Sequence, residues 1–88
     1  MLLETAPKGM DIDTVGGELK EKIPEIVQIS DMHIWEITSG MYSLTAHIEV
    51  TSSNYEMANQ ILESINKLLD EKYGIEHTTI QISYSREQ

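Results

Sequence analysis

From Tyr42 to Val50 every second side chain is apolar: Tyr42, Leu44, Ala46, Ile48 and Val50 alternate with Ser43, Thr45, His47 and Glu49. A period of two fits a half-buried strand, one face on a core and the other in water. The alternation returns near the end of the chain, where Thr78, Ile80, Ile82 and Tyr84 are expected inward and His77, Thr79, Gln81 and Ser83 outward. Ahead of both, Ile26 to Thr38 is β-branched and aromatic enough for another strand. The Ser39-Gly40 turn signal joins it to Met41–Thr51 as a hairpin.

Two segments carry helical spacing instead. Between Asp11 and Ile23, the residues Val15, Leu19 and Ile23 recur every fourth position. Asp11 suits an N-cap and Pro24 forbids continuation. Gly16-Gly17 weakens this helix by about 1 kcal/mol per glycine relative to alanine, so packing must hold it, with close approach of a neighbour as a reason for the pair. Ser53 followed by Glu56 is a capping box that opens a second helix, running to about Tyr73. Its stripe is Ala58, Ile61, Leu62, Ile65, Leu68 and Leu69, and Gly74 closes it.

The order α-β-β-α-β predicts an α+β fold, an open α/β sandwich in which a three-stranded mixed sheet carries both helices on one face. A right-handed crossover lays the last strand parallel to the second, which becomes central. Residues 11–85 form the expected domain, with 1–10 a lead-in and 86–88 a polar tail. Eighty-eight residues bury somewhat more than about 60% of their unfolded surface, so the core is thin. With no phenylalanine and a single tryptophan, Ile, Leu, Val and Met must fill it. Domains of this size often gain stability from a metal or a second subunit.

Fifteen acidic against six basic side chains give a formal charge of −9. Nucleic acid is excluded as a partner, because phosphate binding needs clustered Lys and Arg and the only arginine is Arg86. Docking on an anionic membrane is excluded on the same ground. An acidic surface does concentrate cations. Without cysteine there is neither a disulfide framework nor a thiolate metal site. No apolar run approaches the ~18 residues of a membrane span and no signal peptide is visible, so a soluble, intracellular chain is expected.

The three histidines, His33, His47 and His77, fall one to each strand. Alternation puts His47 and His77 on the polar, helix-free face. His33 depends on hairpin register. A strict two-residue turn pairs Thr38 with Met41 and sets His33 opposite Ala46, facing inward. One extra loop residue pairs His33 with His47 and sets both outward. Because the side-chain period is two, that slip decides whether the histidines share a face. The second register is preferred: it buries Met32 and Ile34 and gathers Asp31, His33 and Trp35 with His47, Glu49 and His77, though it turns Glu36 inward. Neutral imidazole suits zinc and its neighbours, and three rings leave one tetrahedral position for water, Asp31 or Glu49. Such binding weakens as pH drops through about 6.5, where free imidazole charges. Trp35 on a bare face reads as an interface anchor.

Leu2-Leu3-Glu4-Thr5-Ala6-Pro7, Asp31-Met32-His33-Ile34-Trp35, Ser39-Gly40, Ala46-His47 and His77-Thr78-Thr79-Ile80-Gln81 occur in the order found in one family. Through them nearly the whole chain resembles the C-terminal cytoplasmic domain of cation diffusion facilitator transporters, which export Zn²⁺ or related divalent cations. The resemblance implies a metallochaperone-like (ferredoxin-like) fold that pairs as a V-shaped homodimer. In such a dimer metal draws the arms together and regulates the transmembrane domain of the same transporter. It further implies Zn²⁺, or another divalent transition metal, held by His33, His47 and His77. The chain is then the cytoplasmic domain of a membrane protein, with 1–10 following a last membrane helix that this sequence lacks. Two departures stand out. Ser30 replaces a family histidine that some members use for a second metal, and Tyr84 replaces a carboxylate that serves others as a further ligand.

Enzyme activity is not expected. Acyl phosphate chemistry needs an anion-binding arginine, and Arg86 lies in the tail. A hydrolytic zinc site would have only Glu49 or Asp31 as general base, on a shallow face.

Overall fold

The structure, a computed structural model, describes residues 10–51 and 55–85. Five elements follow the expected order: α1 (Ile12–Lys22), β1 (Ile26–Thr38), β2 (Met41–Val50), α2 (Tyr55–Tyr73) and β3 (Ile75–Tyr84). The sheet order is β1-β2-β3, with β1 antiparallel and β3 parallel to the central β2. The lead-in 1–9, Ser53 with its capping box, and the tail 86–88 lie outside the described residues.

Helix α1 begins where Asp11 can cap it. One carboxylate oxygen accepts the Thr14 N–H at 3.3 Å and the other accepts the Thr14 hydroxyl at 2.8 Å. The Thr14 hydroxyl bond, the largest of several contributions, holds the Asp11 carboxyl below its ordinary range. The helix stops before Pro24, with the Ile23 N–H donating to the Leu19 carbonyl at 2.9 Å. Val15, Leu19 and Ile23 are buried as their spacing requires. Gly16 and Gly17 do not follow expectation. A Cβ at either would meet nothing within 4 Å, so no neighbour among the described residues presses on them. They border a shallow cavity of about 290 Å³ between α1 and residues 29–32 of β1.

Helix α2 buries Ala58, Ile61, Ile65 and Leu69 and half-buries Leu62 and Leu68. It ends at Gly74, whose φ of +69° is the left-handed conformation that glycine tolerates and most residues do not. Lys72 near its end reaches Glu18 of α1 at 2.9 Å, bracing one helix on the other.

The core lies between these helices and one sheet face. Leu44, Ile48 and Val50 of β2 have no exposure, and Met32, Ile34 and Ile75 join them from the flanking strands. Full burial of each such side chain contributes about 1.5–3 kcal/mol. No charged or polar residue is buried among those described. Tyr84 pairs with the buried Val50, on the inner face as expected, yet it is 43% exposed. Strand β3 is an edge, so side chains on its inner face are walled on one flank only, and Ile80 and Ile82 are likewise only half buried.

Candidate metal-binding sheet face

The β1–β2 register departs from both alternatives drawn from the sequence. Thr38 does pair with Met41, as a strict turn requires. The ladder then shifts by one residue, so that Glu36 meets Tyr42, Trp35 meets Ser43, Ile34 meets Leu44 and His33 meets Thr45. A second shift sets Asp31 and Met32 together against Ala46, after which Ser30 meets His47. Asp31 takes a φ of +55°, which a β-bulge uses to absorb an extra residue. His33 therefore lies outward, as expected, but opposite Thr45 instead of His47.

The bulge also moves Asp31. With Met32 it opposes Ala46, whose side chain is buried on the helix side, and it lines the cavity beside α1. Asp31 thus sits at the bulge beside the α1 cavity, outside the regular rungs that carry the outward histidines. Glu36 turns inward near the hairpin end without being buried, and its carboxylate accepts the Gly40 N–H at 3.0 Å.

Outward residues then stand in rungs across the three strands. Trp35, Ser43 and His77 share one; His33, Thr45 and Thr79 the next; Ser30, His47 and Gln81 a third; Gln28, Glu49 and Ser83 a fourth. The three histidines occupy one face but three different rungs. His33 and His47 are diagonal neighbours, a relation of roughly 7–8 Å that long side chains can span. His77 is displaced from His47 by four residues of β3, roughly 13 Å along the strands. Side chains stand nearly perpendicular to a sheet, and Zn–N bonds are only about 2.0–2.1 Å, so those two cannot share an ion within one chain. Among the described residues no three His, Asp or Glu side chains are gathered for a metal.

His47 is half-buried, and its Nε2 lies 3.0 Å from the Ser83 hydroxyl, tying β2 to β3. This partner was not foreseen, because it depends on the β2–β3 register. The bulge did leave a trace in the sequence. Ile29 and Met32 both face the core, yet they are three apart where a regular strand needs an even interval. Glu49 remains on the face beside His47, and Trp35 is 37% exposed there.

The architecture is an α-β-β-α-β sandwich with a ferredoxin-like three-stranded sheet, one face of which is free of helices among the described residues. Residues 7–84 match the family of the cation efflux protein, cytoplasmic domain, and the chain belongs to it. It is 39% identical over 82 residues to a protein of Dictyostelium discoideum named as a probable zinc transporter, covering 93% of this chain and 14% of that protein. It is 37% identical over 82 residues to the metal cation efflux system protein CzcD of Cupriavidus metallidurans, covering 92% of this chain and 25% of CzcD. The chain thus spans a quarter or less of these relatives. The metal-bound C-terminal domain of that CzcD transporter superposes with a TM-score of 0.70 at 33% identity, covering 84% of this chain and 99% of that domain. These relatives are cation transporters by name, in keeping with a non-enzyme. Among the described residues no helix is long and apolar enough to cross a membrane.

Proposed function

We propose that this chain is the regulatory domain of a divalent-cation efflux transporter, with zinc the favoured ion, working as a homodimer whose closure is controlled by metal at His33, His47 and His77. The observation that carries the reading is the common face: all three histidines project from the side of the sheet that no helix covers. The metal-bound state of the CzcD domain supports it. His33 and His47, as diagonal neighbours, supply the first two ligands, with Glu49 or water beside them. His77 stands too far from His47 to join that ion in the same chain, so it serves an ion approached by the opposing protomer. Metal then links two protomers, and its differential affinity for the linked state drives closure.

Zinc titration calorimetry at neutral pH, with small-angle scattering on the same samples, tests this. Saturable binding accompanied by compaction, both lost in His47→Ala, is the expected result. Binding equal in the wild type and His47→Ala would remove the histidine site. Binding without compaction would remove the closure.

Trp35 favours a second reading, a homodimerisation module that works without metal. A large aromatic 37% exposed on an otherwise polar face suits an interface anchor. A dimer indifferent to chelator but lost in Trp35→Ala would select it.

A further inference from the structure

The two helices are built to different strengths. Helix α2 has 19 residues, no glycine inside it, and Ala58, Ile61, Ile65 and Leu69 buried. Helix α1 has 11 residues and buries Val15 and Leu19, while Ile12 in its first turn is 48% exposed. A helix this short is marginal by itself and depends on packing. Its middle carries Gly16-Gly17, and glycine is the residue least favourable to a helix after proline.

The surroundings give no steric reason for those glycines. A Cβ at either would meet no atom within 4 Å among the described residues, and neither has a positive φ, so alanine fits at both. The cavity above residues 29–32 lies beside them, so the middle of the helix faces open space. What holds α1 is Val15, Leu19, the Asp11 cap, Ile23 just past its end, and the contact of Glu18 with Lys72, whose side chain is 53% exposed.

We infer that α1 is a strap that undocks from the sheet as one unit while the three strands and α2 stay folded, with Gly16-Gly17 setting how often it opens. Openings of this kind draw on elements with few buried contacts, which α1 is. The hinge is the turn into β1, closed by the Ile26 N–H donating to the Ile23 carbonyl at 3.1 Å. About it α1 swings as a lever roughly 16 Å long. Undocking carries the residues ahead of Ile12 away from the sheet. It also bares the seat of Val15 and Leu19 and residues 29–32, which line the cavity. The domain then has two states set by α1, and whatever binds one of them better shifts the balance between them.

Native-state hydrogen exchange, read amide by amide by NMR with chelator present, tests the strap independently of the histidine face. Amides from Leu19 to Ile23 should exchange at least tenfold faster than those from Ile65 to Leu69. Gly16→Ala and Gly17→Ala should each slow α1 exchange about fivefold, the counterpart of the glycine penalty. A third variant perturbs the opposite flank, since α1 packs beside β1 and α2 beside β3. Thr78→Val removes the 2.7 Å hydrogen bond from the Thr78 hydroxyl to the Asn66 side-chain oxygen. It should speed α2 exchange about two- to tenfold and leave α1 exchange unchanged. Equal protection of the two helices, or an equal effect of Thr78→Val on both, would mean that α1 opens only with the whole domain and would overturn the strap. Unchanged α1 exchange in both alanine variants would overturn the role of the glycines.

Discussion

His47 Nε2 sits 3.0 Å from the Ser83 hydroxyl, so the central histidine of the sheet face already has a partner before any ion arrives. When the serine donates, Nε2 is occupied, the ring proton rests on Nδ1, and a metal must displace the hydroxyl to bind there. A net hydrogen bond is worth about 0.5–1.5 kcal/mol, so Ser83→Ala should tighten zinc binding by roughly two- to tenfold. Calorimetry on the two proteins decides; weaker binding in Ser83→Ala would mean the serine orients the ring instead of competing for it.

The Lys72–Glu18 contact should make stability depend on both pH and salt. The Lys72 hydrogen bond, ahead of its charge, lowers the Glu18 pKa, and the same contact raises that of Lys72. A lowered carboxylate contributes above its unfolded value and loses that contribution as pH falls through the folded one. A raised ammonium contributes below its unfolded value and loses that contribution as pH climbs through the folded one. The pair thus contributes across the neutral range and fades at both ends. In Lys72→Met, urea midpoints should differ from wild type most near neutrality and least in high salt. A difference that persisted unchanged in high salt would point to packing of the lysine stem.

Ile48 is fully buried on the middle strand, and Ile48→Ala should cost about 2–5 kcal/mol in urea denaturation. Against the roughly 5–15 kcal/mol typical of whole domains, that is a large share of the total. A loss under about 1 kcal/mol would show that the site collapses around the smaller side chain.

Asp31 holds a left-handed φ that β-branched residues resist. Asp31→Val should destabilise by about 1–3 kcal/mol, while Asp31→Gly should be close to neutral. Equal stability of the two variants would mean the bulge relaxes when its residue changes.

Element order, the central place of β2 and the outward setting of His47 and His77 were all legible, because each rests on a local period. Alternation survives along β2 without interruption, and Asp11 and Pro24 bracket α1 unaided. Matters decided by strand-to-strand register were harder to read. His33 faces outward because the ladder shifts by one residue between Thr38 and Glu36, after a strict two-residue turn, a combination that a regular ladder does not offer. The rung spacing that separates His77 from His47 comes from the β2–β3 pairing, which no local pattern encodes. Tyr84 has the parity of a core residue and the exposure of an edge one. Gly16 and Gly17 suggested a close neighbour, and nothing in the described chain fills that place.

The offset at Asp31 gives β1 slack. Two residues there do the work of one against Ala46, so deleting Asp31 would close the ladder with Met32 opposite Ala46, Ser30 still opposite His47 and His33 still opposite Thr45. Deleting a strand residue away from the offsets would turn its neighbours over. The strand can therefore change length by one at this point while every side chain keeps its face. Natural length variation within the strand is readily absorbed at such an offset.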